Sequence, residues 1–188
     1  MTVGLAFEQV LAAAQAGAGW ARTRLYEDLA PAVAGYVRSQ GVPEVADTTS
    51  DVFVSVLSRL GSFRGDERQF RSWVFTIAYR RVADEWRARA RPTRPTPVDP
   101  VELAGRSDAT APAAEEQAMA TVGNERLRRL LAELTPDQRQ VLALRVIADL
   151  SVDDVAEIVA RPPGAVKALQ HRAIAALRRK IADEAVSR

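Results

Sequence analysis

Arginine and aromatic side chains alternate in FRSWVFTIAYRRVADEWRARAR, residues 70–91, and in the loop before it. Aromatic faces stack on unpaired bases while arginines follow the phosphate backbone, which is the chemistry of single-stranded nucleic-acid binding. The residues with this chemistry are Phe63, Arg64, Arg68, Phe70, Arg71, Trp73, Phe75, Tyr79, Arg80, Arg81, Trp86 and Arg87. A structural role competes with it, because Phe70, Trp73 and Ile77 also have the spacing of a buried helix stripe. The arginines are therefore the stronger candidates.

A second basic segment lies near the C-terminus. Residues 161–181 carry six Arg or Lys and no acidic residue. Lys and Arg can contact guanine or phosphate, and Gln can pair with adenine. The residues expected to face duplex DNA are Lys167, Ala168, Gln170, His171 and Arg172, with Arg161 in the preceding turn placed for a phosphate.

Helix signals around this segment predict a helix-turn-helix. Thr135 followed by Pro136 is an N-cap with proline at the first helical position. Ser151 is expected to cap the next helix, and a proline at 162 or 163 to begin the last one. In such a motif the N-terminal half of the last helix enters the major groove. The alternative is a plain helical hairpin with a solvated basic face.

The N-terminal half is predicted to be helical as well. Apolar spacing indicates helices at about 7–16, 20–40, 47–60 and 69–90. Asp47 or Thr48 is expected to cap the third helix, and Pro31 could kink the second. Aromatic residues are only 6% of the chain and strand-favouring runs are scarce, which favours an all-α protein.

The helical pattern stops in the middle of the chain. Five of the ten prolines lie there, at Pro92, Pro95, Pro97, Pro100 and Pro112. We therefore expect two small helical domains, 1–91 and 124–188, joined by an extended linker over 92–123. The C-terminal domain would be the helix-turn-helix.

The charge distribution supports separate partners for separate surfaces. Residues 59–91 hold nine Arg against four acidic residues, whereas residues 1–58 hold three Arg against six acidic residues. Such asymmetry indicates a polyanion at the basic patches and a different partner at the N-terminal surface. The alternative interpretation is that these charged residues only form solvated helix faces.

Several classes of protein are disfavoured. The chain has no Cys and a single His, so neither a disulfide nor a zinc site is expected, and no cofactor is implied. No Ser-His-Asp arrangement, Gly-rich phosphate loop or paired carboxylates suggest an enzyme. The N-terminus lacks a signal-peptide pattern, and no apolar run approaches a membrane span, so no membrane insertion and a cytoplasmic location are expected.

Two stretches resemble bacterial extracytoplasmic-function sigma factors of the sigma-70 family. FRGDERQFRSWVFTIAYRRVADEWR resembles their second conserved region, and LTPDQRQVLALRVIADLSVDDVAEIVARPPGAVKALQHRAIAALRR resembles their fourth. The resemblance implies a transcription initiation factor that binds the β and β′ subunits of core RNA polymerase. It also implies recognition of a melted −10 element and a duplex −35 element, and control by an anti-sigma factor.

The resemblance also assigns roles to residues. Polymerase binding is implied for Asp47, Asp51, Val52, Phe53, Val56 and Arg59. Contact with −10 DNA is implied for Ser62, Phe63, Arg64, Arg68, Arg71, Trp73, Tyr79, Arg80, Asp84 and Arg87. Contact with −35 DNA is implied for Arg161, Gly164, Ala165, Lys167, Ala168, Gln170, His171 and Arg172.

Some positions depart from the family pattern. Tyr79 stands where relatives commonly have Arg, and Ala165 and Ala168 stand where they often have Thr and Ser. Since two hydroxyl groups are missing, −35 reading should depend more on Lys167, Gln170, Arg172 and DNA shape. An autonomous helix-turn-helix regulator, binding duplex DNA without polymerase, is the alternative function. A nucleic-acid-modifying enzyme is a third, more distant one.

Overall fold

The computed structural model describes residues 6–90 and 129–186, which are helical with no strand in those ranges. The all-α prediction is confirmed. The expected linker over 92–123 lies outside the described residues, as do residues 124–128, so the domain bounds stay predictions. The helices are α1 (Phe7–Gln15), α2 (Gly19–Ser39), α3 (Val45–Arg59), α4 (Glu67–Ala90), α5 (Pro136–Val146), α6 (Val152–Ile158) and α7 (Pro163–Val186).

The N-terminal domain is built on α2, α3 and α4, with α1 packed against α2. In α2 the buried side chains recur every three or four residues, at Leu25, Leu29, Val33 and Tyr36. These side chains bury one apolar face of the helix, and this burial contributes most of the stability of such a helix. The helix continues through Pro31, which lies on the exposed side.

The start of α3 corrects one prediction. The helix begins at Val45, and neither Asp47 nor Thr48 is its N-cap. Thr48 is buried, and the Oγ1 of Thr49 donates a hydrogen bond to the carbonyl of Val45 at 2.7 Å. The threonines are thus used inside the helix, and Asp47 lies in its first turn, where a carboxylate suits the helix dipole.

The start of α4 was expected near Gln69, but the helix begins at Glu67. Asp66 and Gln69 cap the helix reciprocally. The backbone N–H of Gln69 donates to Asp66 Oδ1 at 2.7 Å, and the backbone N–H of Asp66 donates to Gln69 Oε1 at 2.9 Å. Gly65 makes room for this cap, because a Cβ there would lie 2.6 Å from Gln69 Oε1. The Asp-x-x-Gln spacing is a capping signal that helical periodicity alone misses.

The C-terminal domain confirms the predicted helix-turn-helix. Thr135 and Ser151 each form a capping box at the start of α5 and α6. The turn after α6 places Ala160 at φ 51°, and the amide of Arg161 donates to the carbonyl of Ala156 at 3.0 Å. This turn redirects the chain into α7, whose apolar side packs on α5 and α6.

Arg145 ties the three helices of this domain together. Its guanidinium donates through Nη1 to the carbonyl of Leu150, in the loop before α6, and through Nε to Gln170 Oε1 of α7 at 3.3 Å. One half-buried side chain therefore fixes the end of α5, the following loop and the middle of α7. The orientation of α7 depends on this contact as well as on apolar packing.

The two domains pack together. The apolar core continues from α2 and α4 into α5 and α6 without interruption. A Cβ on Gly35 of α2 would lie 3.2 Å from Cγ2 of Ile147, just after α5. Burial in this core raises the pKa of Tyr36 far above its ordinary value, so its hydroxyl stays neutral.

Replacing Ala160 by Gly should stabilise the chain. A left-handed conformation costs a residue with a Cβ roughly 1 kcal/mol, and Gly adopts it without that cost. We expect the free energy of unfolding in urea to rise by about 0.5–1 kcal/mol. Ala182→Gly, at an exposed position of α7, is the matched control and should lower that free energy. Equal destabilisation by both substitutions would contradict the left-handed backbone conformation assigned to Ala160.

Candidate nucleic-acid and partner surfaces

The N-terminal half of α7 presents a continuous exposed stripe. Gly164, Lys167, Ala168, His171 and Arg172 recur at three- and four-residue spacing, and all five are exposed. The opposite side of the helix is buried in the domain. A stripe with two permanent positive charges and two small residues can approach a DNA groove closely.

Three other residues predicted for duplex DNA lie outside this stripe. Gln170 is half-buried and turned toward α5, where its Oε1 accepts the hydrogen bond from Arg145. Ala165 is also half-buried. Arg161 is exposed and pairs with Asp137 Oδ2 at 2.5 Å. An exposed ion pair of this kind is weak enough for a phosphate to replace the carboxylate.

Most of the aromatic residues upstream are structural, as the competing interpretation expected, whereas Trp86 of α4 is 47% exposed. Phe63, Phe70 and Trp73 form a cluster with ring centroids 5.1 to 5.7 Å apart. Phe63 is 8% exposed, and Phe7 of α1 closes the cluster on Phe70. Only Trp73 remains half-exposed. In this conformation the rings hold the loop in place and do not form an open stacking platform.

The loop between α3 and α4 is held from two sides. The side-chain amide of Gln15 donates to the carbonyls of Leu60 at 3.0 Å and Phe63 at 2.9 Å. Arg64 donates to the carbonyls of Gly61 at 2.9 Å and Phe63 at 2.6 Å. Ser62 and Arg64 are exposed on this braced loop. Gln15 was missed from the sequence because nothing in the pattern of α1 links it to a loop 45 residues away.

The remaining residues predicted for −10 DNA divide into two groups along α4. Arg80, Asp84 and Arg87 are exposed, and Arg87 pairs with Asp84 at 2.8 Å. Tyr79 is half-buried against the core. The second group, Arg68 and Arg71, faces the C-terminal domain. Arg68 bonds Asp154 of α6 at 3.2 Å, and Arg71 lies 3.8 Å from Asp28 of α2 and 3.5 Å from the carbonyl of Ala148.

The outer face of α3 combines acidic and apolar side chains. Asp47 and Arg59 are exposed and Asp51 is half-exposed, where it pairs with Arg81 of α4. Val54 and Leu57 are also exposed, at 66% and 37%, and were missed because they fall off the buried stripe. The buried stripe itself includes three residues predicted for polymerase binding, Val52, Phe53 and Val56. Those three support α3 from beneath and present no surface in this conformation.

A shallow polar cleft joins the surfaces of α3 and α4. It brings together Ser55, Arg59, Ile77, Arg80, Arg81 and Asp84. Residues assigned to polymerase and to −10 DNA thus meet along one edge of the N-terminal domain.

An apolar groove lies on the C-terminal domain between α5 and α7. Its walls are formed chiefly by Leu131, Leu142, Val146, Ile174, Leu177 and Ile181. Val146 is 68% exposed and Ile181 44% exposed, which is unusual for large apolar residues side by side. An exposed apolar groove of this kind is a candidate docking surface.

Metal and membrane sites do not stand out in the described ranges. Residues 6–90 and 129–186 contain no group of three or more His, Cys, Asp or Glu that could hold a metal ion. Within the same ranges no helix is sufficiently long and apolar to cross a bilayer. The surfaces that do stand out are the basic stripe of α7, the acidic and apolar face of α3, and the apolar groove between α5 and α7.

Two family models match the chain. The model for sigma-70 region 2 matches residues 25–92, and the model for sigma-70 region 4 matches residues 124–177. The first range holds α3, the braced loop and α4, and the second holds the helix-turn-helix. Each of the two resemblances stated from the sequence is therefore confirmed at family level.

Relatives agree with these models. The ECF RNA polymerase sigma factor BldN of Streptomyces coelicolor is 33% identical over 92% of this chain, which spans 64% of BldN's length. The ECF RNA polymerase sigma factor SigD of Mycobacterium tuberculosis is 31% identical over 95% of this chain and 85% of its own. The fold is shared with CnrH, solved in complex with the cytosolic domain of CnrY, at a TM-score of 0.67 and 24% identity over 95% of this chain and 98% of that one. The chain therefore belongs to the ECF sigma factors of the sigma-70 family.

Proposed function

We propose that this chain is a transcription initiation factor that binds core RNA polymerase and directs it to promoters. The observation that carries the proposal is the pairing, in one chain, of an exposed basic recognition helix with a braced, arginine-lined loop and helix. Either surface alone would suit a simple DNA-binding protein. Both together suit a factor that reads duplex DNA at one place and opens it at another.

The −35 element would be read by the exposed stripe of α7. Lys167 and Arg172 supply the positive charge, and Ala168 and Gly164 let the helix backbone come close to the groove. The turn residue Arg161 would exchange Asp137 for a phosphate. Gln170 would contribute through Arg145 to the position of the helix, because its amide oxygen is already engaged there.

The −10 element would be held by the braced loop and the outer side of α4. Ser62 and Arg64 are exposed on a loop whose backbone is fixed by Gln15 and by Arg64 itself. Fixing the loop in advance lowers the entropy cost of capturing an extruded base. Arg80 and Arg87 would follow the backbone of the melted strand.

Polymerase would be bound at two faces. The acidic and apolar surface of α3, with Asp47, Val54 and Leu57, suits a basic, helical partner element such as the β′ clamp. The apolar groove between α5 and α7 suits a helix of the β flap. The anti-sigma factor implied by the family resemblance stays a prediction, and it would compete for these same faces.

Run-off transcription with purified bacterial core polymerase on a genomic promoter library tests this function. We expect starts that depend on the added chain and share two spaced upstream elements. The autonomous-regulator alternative predicts instead that the chain selects duplex sites by itself. Chain-selected duplex sites without chain-dependent starts, using active core polymerase, would overturn the proposal.

Lys167→Ala should weaken promoter use through the −35 element. A lost contact to a base edge costs about 1–3 kcal/mol and relaxes the preference at one position. The measurement is run-off transcription on promoters randomised at −35. Lys180→Ala is the matched control, since Lys180 lies on the other side of α7 and pairs with Glu133 at 3.1 Å. Equal losses for both variants would show that Lys167 acts only through general charge.

Arg80→Ala should slow promoter opening without changing −35 recognition. The expected result is fewer permanganate-reactive thymines near −10 and roughly tenfold less run-off product, the loss of one backbone contact of about 1.4 kcal/mol. A promoter with a pre-melted −10 mismatch should restore much of the product. Arg38→Ala, in the last turn of α2, is the control. If the pre-melted template gives no rescue, Arg80 does not act in melting.

A further inference from the structure

The side-chain amide of Gln15 joins α1 to the loop between α3 and α4. Its Nε2 donates to the carbonyl of Leu60 at 3.0 Å and to the carbonyl of Phe63 at 2.9 Å. Gln15 is half-buried and is the last residue of α1. Ser62 lies between the two carbonyls along the chain, and Arg64 follows them directly. One side chain of α1 thus holds the backbone on both sides of the residues proposed to meet −10 DNA.

Other hydrogen bonds of this loop come from within it. Ser62 Oγ donates to the carbonyl of Arg59 at 2.8 Å, and Arg64 Nη1 donates to the carbonyl of Phe63 at 2.6 Å. Bonds between residues this close in sequence shape the loop, but they do not fix its position on the domain. The bonds from Gln15 span 45 and 48 residues of the chain, so they tie the loop backbone to a different helix.

The helix that carries Gln15 is anchored at both of its ends. Near its C-terminus, Arg22 Nε of α2 donates to the carbonyl of Ala14 at 3.2 Å, and Ala14 is fully buried. Near its N-terminus, the ring of Phe7 packs on Phe70 of α4 with centroids 5.5 Å apart. Gln15 is therefore presented to the loop from a fixed support, as a residue that positions other groups requires.

We propose that Gln15 is a positioning residue for promoter opening, which holds the loop ready to capture an unpaired base of the −10 strand. The proposal rests on the proposed function, because it assumes that Ser62 and Arg64 contact that strand. Unpairing and unstacking a base is costly, so a loop that is already ordered loses less free energy when it captures the base. Gln15 itself would touch no DNA and would act through the loop.

Loss of the Gln15 amide should loosen the loop without unfolding the domain. The carbonyl of Leu60 also accepts from the backbone N–H of Phe63 at 3.1 Å, and the carbonyl of Phe63 also accepts from Arg64. Since neither oxygen would be left without a donor, the penalty for an unsatisfied buried group does not arise. The loop would instead occupy its capture-ready position for a smaller fraction of the time, which lowers its apparent affinity for the base by that fraction.

Gln15→Met tests the proposal in run-off transcription with core polymerase. Methionine keeps the length and the helix propensity of glutamine but has no N–H group to donate. Gln9→Met, at an exposed position of the same helix, is the matched control. At a saturating concentration of the chain, we expect Gln15→Met to give roughly tenfold less product and fewer permanganate-reactive thymines near −10. The concentration that gives half-maximal product should not change. Equal product from the two variants would overturn the proposal.

A template that lacks the captured base separates positioning from a general structural defect. Abasic sites are placed one at a time in the −10 strand of a promoter that the wild-type chain uses. At the captured position the wild type loses product, and Gln15→Met should cause no further loss there, because the loop has no base to hold. At the other positions the roughly tenfold difference should persist. A constant difference between the two proteins at every position would overturn the proposal.

The wild-type chain shows whether a failure belongs to this residue or to the proposed function. If the wild type directs transcription, the function stands, and the comparison of Gln15→Met with Gln9→Met judges the positioning role alone. If it does not, with active core polymerase, the proposed function fails and this role fails with it. Should Gln15→Met not fold, as judged by urea unfolding, Gln15→Ala is compared with Gln9→Ala in both assays, and the same differences are expected.

Discussion

Arg71 sets the main constraint on the arrangement of this molecule. Its guanidinium lies at the junction of the two domains, where little solvent reaches it. A charge removed from water costs several kcal/mol unless it is paired and hydrogen-bonded. Asp28 of α2 provides the carboxylate and Ala148, after α5, provides a carbonyl. Because its partners come from both domains, the position of α5 relative to α2 and α4 is fixed by the same side chain.

Apolar packing and a few polar contacts complete the junction between the two domains. Around Arg71 the contact is completed by Gly35 against Ile147 and by the more exposed pair of Arg68 with Asp154. The exposed pair of Arg68 with Asp154 adds little stability, since water can satisfy both charges, so most of the stability of the junction comes from the continuous apolar core. Away from the junction, the stripe on α7 and the outer face of α3 stay exposed. In this arrangement the stripe proposed for −35 DNA is exposed, whereas Arg71, proposed for −10 DNA, is largely covered.

Local features were predictable where one side chain determines them. The caps at Thr135 and Ser151 follow from residue type and spacing, and so does the exposed stripe around Lys167. Aromatic residues were harder, since the spacing of Phe70 and Trp73 fits a core and a stacking surface equally well. The buried rings in the structure favour the core.

Contacts between distant residues could not be predicted. Gln170 sits near the predicted reading face, but Arg145, 25 residues earlier, draws its amide oxygen inward. Val54 and Leu57 were overlooked because periodicity identifies what a helix buries and says nothing of apolar residues it leaves exposed. Packing of the two domains depends on pairs such as Arg71 with Ala148, separated by 77 residues, for which no sequence spacing carries a signal.

The distance between the two domains tests the central claim most directly. With no native Cys, Gly19→Cys and Glu157→Cys give one spin label on each domain for pulsed electron resonance. The account predicts a single short distance in the free chain, because Arg71 and a continuous apolar core join the two domains. A long, broad distribution of distances in the free chain would contradict it.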